Sequence, residues 1–189
     1  MEKREKEFWL VGLRLGSILL MNSKLKIGIS SCLLGERVRY DGENKRNLTV
    51  IDLLGDRFEA VPVCPEVEIG MGIPREPVQL MAGKPGPQMV GVESGKDWTK
   101  AMAGFSSKKL DELAQQNLSG FIFKCRSPSC GTAGVPLHHE QSGEKTSTSG
   151  LFAAAFMKHF PDIPVIDEEA LQDEKIRQDF FTRVIKATP

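Results

Sequence analysis

Short apolar runs of strand length alternate along this chain with segments of helical period, and three of those runs lead straight to a cysteine. Lys26 to Ser30 reads as a buried strand that ends before Cys32, and Glu59 to Val63 as a second that ends at Cys64. Ser119 to Lys124 reads as a third, running into Cys125-Arg-Ser-Pro-Ser-Cys-Gly131. Between them, Leu48, Ile51 and Leu54 have helical spacing with Gly55 as a stop, and Trp98, Ala101, Met102, Phe105, Leu110 and Leu113 mark a helix over 96–116. Pro164 to Ile166 is expected as a fourth strand, between a helix over 150–160 and a final helix over 167–186 that Asp167 is placed to cap. This alternation predicts an α/β chain: a single-domain, Rossmann-like three-layer fold with a mostly parallel sheet of four to five strands. Two stretches interrupt it. Residues 70–95, with Pro74, Pro77, Pro85 and Pro87, are expected to form a long irregular connection, and His138 to Thr148 a mobile surface loop.

The 189 residues suit one substantial core, and 40% apolar with 26% charged residues is ordinary for a globular chain. Lysine plus arginine equals aspartate plus glutamate at 25 each. A protein that lived by gripping nucleic-acid phosphates would show a basic excess, so that role is set aside. The first twenty residues mix charges up to Glu7 and then run apolar but for Arg14. They are neither a signal peptide nor long enough for a span of roughly 18 apolar residues. Met21-Asn-Ser-Lys-Leu-Lys-Ile reads as a natural start, so residues 1–20 are expected to be an extension from a mis-assigned start and residues 21–189 the domain.

Four cysteines, at 32, 64, 125 and 130, in a chain this large and aliphatic do not suggest disulfide staples. A reducing cytoplasm, with thiols free, metal-bound or catalytic, is the expected setting. In an open parallel sheet, ligands bind beyond the carboxyl ends of the strands, and thiols delivered there from neighbouring strands converge. Soft thiolates select zinc, copper(I) or iron–sulfur clusters. A structural zinc site takes four ligands, commonly in close pairs, whereas Cys32 and Cys64 are each solitary. Three sulfur ligands leave one position open, as a Lewis acid requires. The plain alternative is that each cysteine packs as a small hydrophobe.

Polar residues flank these thiols. Glu66, two residues past Cys64, is placed to act as a general acid or base, and Ser127, three before Cys130, to hydrogen-bond a substrate. The plainer role for Glu66 is a helix-start acid or a loop salt bridge. For Arg39, Asp41 and Arg75, surface ion pairing is the favoured reading. His138 and His139 are adjacent and polar-flanked, and His159 falls near a helix end, so none is expected to bind a metal.

Four blocks carry a resemblance: Ile29-Ser-Ser-Cys-Leu-Leu-Gly-Glu-Arg-Val-Arg-Tyr-Asp-Gly42, Val61-Pro-Val-Cys-Pro-Glu-Val-Glu-Ile-Gly70, Gly72-Ile-Pro-Arg-Glu-Pro77 and Ser127-Pro-Ser-Cys-Gly131. In this order they are similar to the bacterial DUF523 family, whose characterised members are thiouracil desulfidases, over about Lys24 to Ile185. The resemblance implies a [4Fe-4S] cluster held by Cys32, Cys64 and Cys130, with one iron open. It implies Glu66 as catalytic acid/base with Ser127 assisting, and a non-redox loss of sulfide from a thiolated nucleobase or related thioamide. Cys125 departs from the pattern, which commonly has another residue there, and is expected to be a bystander. Two other readings stay open on the residues alone. One is a zinc-dependent hydrolase on the same thiols, against which the nucleobase-deaminase signature is absent. The other is a non-catalytic cluster protein acting as sensor or sulfur carrier.

Overall fold

Ile27 and Ile29 point to one face of the first strand and are wholly buried, while Gly28 between them faces the other way. That period of two, with both faces covered, makes Leu25–Ser30 (β1) a central strand. The computed structural model describes residues 24–55, 58–140 and 145–186. In it β1 pairs in parallel with Phe58–Val63 (β2) on one side and with Leu118–Phe123 (β5) on the other. β5 pairs in parallel with Val165–Asp167 (β8), giving the order β2-β1-β5-β8. Pro62, which has no N–H to donate, lies on the edge strand β2, where that loss is tolerated.

Helices cover both faces of this sheet. Leu48–Leu54 (α1) and Glu174–Lys186 (α5) pack Val50, Phe180, Phe181 and Val184 against Ile27, Ile29 and Ile122. On the other face, Thr99–Ala114 (α3) and Leu151–His159 (α4) join Phe121 and Phe123. The two β5 phenylalanines, two residues apart, stack with ring centroids 3.9 Å apart, and Phe156 meets them edge-on at 4.9 and 5.5 Å. The architecture is the expected Rossmann-like three-layer α/β fold with a parallel sheet of four strands. Among the described residues, no helix is long and apolar enough to cross a membrane.

The two stretches expected to be irregular carry short strands of a second sheet. Val78–Met81 (β3) and Gln88–Gly91 (β4) form an antiparallel hairpin inside 70–95. Val135–His138 (β6) runs parallel to β3, and Lys145–Thr148 (β7) returns antiparallel to β6. This second sheet, ordered β4-β3-β6-β7, places Leu80, Met89 and Val135 in the same core as Phe121. The prolines of 70–95 flank its four-residue strands rather than cutting them. β7 is a polar edge, composed to discourage further pairing. The final helix also begins later than expected. Asp167 ends β8, and its carboxylate accepts from the amides of Glu169 and Ala170 ahead of a 3-10 turn, so Asp173 caps α5 through the amide of Ile176 at 3.0 Å. The expectation of an extension over residues 1–20 lies outside the described residues.

Gly28 is set by close approach. A Cβ there would lie 2.2 Å from the Phe121 ring, which is fixed in the aromatic stack. Gly28→Ala is expected to destabilise the fold by about 1–3 kcal/mol through overpacking. Urea unfolding of variant and wild type checks it, and an unchanged midpoint would contradict it.

Candidate functional site

The carboxyl ends of β2, β1 and β5 lie side by side, and a cleft of about 730 Å³ opens there. Cys32, Cys64, Cys125 and Cys130 all line it, together with Glu66 and Ser127. All four thiols are free, Cys125 and Cys130 buried and the other two half-buried.

Each thiol is set by a local device. After β1 the chain makes a 3-10 turn over Ser31–Leu34 that stops at Gly35, whose φ of 98° is the left-handed conformation glycine tolerates. The Cys32 carbonyl accepts from the amides of both Gly35 and Lys45. Cys64 caps the one-turn helix Pro65–Glu68 (α2), with Pro65 at its first position and the Cys64 amide donating to Glu68 Oε1 at 3.2 Å. The Cys130 loop is held from two sides. Ser127 Oγ accepts from the amides of Ser129 and Cys130 at 3.2 and 3.1 Å. The first amides of α4 then donate to the carbonyls of Pro128 and Ser129. Gly150 permits that approach, since a Cβ there would lie 2.6 Å from the Ser129 carbonyl carbon. The Lys124 amide donates to Ser30 Oγ at 2.9 Å, tying the ends of β1 and β5 together.

Burial dominates the thiols' chemistry. It pushes Cys32 up to about 12, with the neighbouring Cys64 adding to the effect and Lys124 opposing it. Burial also raises Cys64, against the Val67 amide, and lifts Cys130 well above the usual thiol range, with partial relief from the Ser30 hydroxyl. The three thiols feel one another electrostatically as well. Without a metal they are neutral thiols, and a bound metal would displace their protons. The donor set is all sulfur and soft, which suits iron–sulfur clusters. Among the described residues, no three His, Cys, Asp or Glu side chains converge tightly enough to hold a single metal ion. A cluster gives each thiolate its own iron and does not need that convergence.

Glu66 is the fixed anion of the cleft. Its Oε2 accepts from Arg75 Nη2 at 2.6 Å and Nε at 3.1 Å, and its Oε1 from Ser129 Oγ at 2.8 Å. Arg75 also donates to the carbonyls of Val38 and Gly72, both at 3.0 Å. Its side chain is only 5% exposed, so the expected surface pairing is corrected: Arg75 is a buried clamp on Glu66. Arg39 and Asp41 do form the expected pair at 3.2 Å. His138 lies in β6, and His139 Nε2 meets Thr146 Oγ1 at 2.9 Å.

A second polar cluster went unread in the sequence. Glu168, just past β8, is buried and accepts from Lys124 Nζ, the Cys125 amide at 2.7 Å and the Cys125 thiol at 3.1 Å. Lys124 Nζ in turn donates to Cys125 Sγ at 3.1 Å. Burial opposes the Glu168 charge, but Lys124 and Cys125 outweigh it and hold the carboxyl below its ordinary 4.5. Nothing in local sequence marks Glu168, since only the parallel pairing of β5 with β8 brings it to Lys124. Ser129, rather than Ser127, touches Glu66. The Ser-Pro-Ser run offers both, and only the fold chooses.

Comparison with known proteins follows the same lines. The sequence model of a family described as 2-thiouracil desulfurase matches residues 27–168. The uncharacterized protein YbbK of Bacillus subtilis (strain 168) is 33% identical over 150 residues, covering 77% of this chain and 97% of that protein. The solved structure of TudS, a [4Fe-4S]-dependent thiouracil desulfidase, superposes with a TM-score of 0.64 at 31% identity, covering 82% of this chain and 99% of that one.

Because the folded state depresses the Glu168 carboxyl, the charged pair contributes stability above the unfolded value of 4.5 and loses it as pH falls through the lower folded value. Glu168→Gln is expected to destabilise the protein by about 1–3 kcal/mol at neutral pH. The gap from wild type should shrink as unfolding is measured at pH values below 4.5. A gap that stays constant into acid would contradict the assignment.

Proposed function

The chain belongs to the 2-thiouracil desulfurase family, and from that premise we propose that residues 21–189 form a [4Fe-4S]-dependent, non-redox desulfidase acting on a thiolated nucleobase or related thioamide. Cys32, Cys64 and Cys130 would hold the cluster. When bound, it supplies a Lewis-acidic iron that polarises the substrate's carbon–sulfur bond. Glu66 is the acid/base, and Ser127 assists. The observation that carries this reading is the arrival of those three thiols, from three adjacent strands, at one cleft beside a clamped carboxylate.

The protein's own groups handle protons and position. Arg75 and Ser129 fix both oxygens of Glu66: Oε2 accepts twice from Arg75, while Oε1, accepting from Ser129, keeps a lone pair for a water in the cleft. Glu66 takes a proton as that water adds to the thiocarbonyl carbon and passes it to the sulfur, then relays the second proton from the new hydroxyl to the departing sulfur. The carbon–oxygen double bond forms as the carbon–sulfur bond breaks, so thioamide plus water gives amide plus hydrogen sulfide, with no electrons gained or lost. Ser127 Oγ accepts two amides and has no acceptor for its own hydrogen among the described residues, so it is placed to donate toward substrate. Four free thiols fit a reducing cytoplasm as the setting, and the zero formal charge suits a small-molecule substrate better than nucleic acid.

Anaerobic assay of sulfide release from thiolated bases tests the reading. Glu66→Ala is expected to cut kcat by about 10²–10⁴ while the cluster absorbance persists. Cys32→Ser, Cys64→Ser and Cys130→Ser should each lose the cluster, and Cys125→Ser should keep it. A cluster lost with Cys125→Ser, or full activity in Glu66→Ala, would overturn these roles.

A further inference from the structure

An aromatic ring stands at the mouth of this cleft without a part in the chemistry above. Tyr40, the chain's single tyrosine, lines the cleft and yet is 42% exposed. A ring of that size left open to water forgoes burial that the rest of the core takes. Its contacts run through its backbone carbonyl and its ring, beside which the Arg39 guanidinium lies. What the position offers is therefore the ring itself.

Everything around the ring is tied down. The Gly42 amide donates to the Arg39 carbonyl at 3.0 Å, closing a turn with Tyr40 and Asp41 at its centre. Gly42 ends the turn at a φ of 74°. The side chains of Arg39 and Asp41 pair across Tyr40, and the Arg39 guanidinium lies 5.4 Å from the ring centroid, in cation–π range. The Arg75 amide donates to the Tyr40 carbonyl at 2.9 Å. The same Arg75 holds Glu66 through its side chain and reaches Val38, two residues before Tyr40. The loop that carries the ring is thus referenced to the catalytic carboxylate. Ile73, 44% exposed, borders Gly42.

We propose that Tyr40 is the platform on which the substrate's planar ring stacks, and that it makes heteroaromatic thioamides, rather than acyclic ones, the preferred substrate class. This rests on the desulfidase reading. A nucleobase offers hydrogen bonds only at its edges, and its broad faces gain most from an aromatic partner, which works for any base because every base has a π face. Glu66 lies deeper, at 14% side-chain exposure. A ring held on Tyr40 would present its edge inward, toward the carboxylate and the thiols.

The test is anaerobic equilibrium dialysis of 2-thiouracil against the cluster-loaded protein, with ultraviolet difference spectra of the bound thiobase. Wild type should bind with the loss of thiobase absorbance that stacking produces. Tyr40→Ala should bind about tenfold more weakly, with that loss abolished, and Tyr40→Phe should restore both. Tyr40→Leu keeps apolar bulk without a π face, guards against collapse of the loop, and should behave like Tyr40→Ala. In turnover, the Tyr40→Ala defect should fall on KM for 2-thiouracil and leave KM for thioacetamide within about twofold of wild type. Wild-type affinity and spectrum in both Tyr40→Ala and Tyr40→Leu would overturn the proposal, as would equal losses on the ring and the acyclic probe. Should binding depend on Tyr40 while no sulfide is released, the stacking platform stands and the desulfidase reading falls. Sulfide release with binding indifferent to Tyr40 is the reverse.

Discussion

The parallel pairing of β1 with both β2 and β5 is the constraint from which the rest of the site follows. Ser30 faces Val63 across one ladder and Ile29 faces Ile122 across the other, so three strands end within a residue or two of the same level. Neighbouring strands are about 4.8 Å apart. Chain segments that leave them at one edge have little choice but to share the space beyond. Cys32, Cys64 and the 125–131 loop are those segments. A one-residue slip of β5 would turn Phe121 and Phe123 to the opposite face, away from Phe156. Core packing therefore holds the register, and the register brings the thiols together.

The buried ion pair between Arg75 and Glu66 is better understood as a positioning device than as a source of stability. Removing two charges from water costs several kcal/mol per ion, which their mutual attraction only roughly offsets. What the pair does achieve is orientation, because Arg75 joins the 38–42 loop, the Gly72 carbonyl and Glu66 in one piece. The second sheet has a part in this, since β3 begins three residues after Arg75 and anchors it through Leu80 in the core. The Lys124–Glu168 pair serves the opposite wall, where it locks the chain as it turns out of β5.

Much of this was legible in the sequence, and the boundary has physical causes. The central strands β1 and β5 were readable because burial on both faces makes them short apolar runs, β2 through its Ala60-Val61 and Val63, and the thiols because each follows such a run. The second sheet escaped because its strands are four residues long, because prolines flank β3 and β4 and Pro136 lies within β6, and because Lys145–Thr148 is polar throughout. Arg75 looked like a surface charge because no local pattern distinguishes a guanidinium that folds inward. Glu168 and Ser129 acquire their partners across 44 and 63 residues of sequence, distances at which only tertiary structure speaks.

The central claim is that three thiolates, not four, hold the cluster and leave one iron free. Mössbauer spectroscopy of protein reconstituted with iron-57, before and after 2-thiouracil is added, addresses it most directly. The account predicts three matched iron sites and one distinct site, with only the distinct one changing when the thiobase arrives. Four equivalent irons, indifferent to the thiobase, would contradict it.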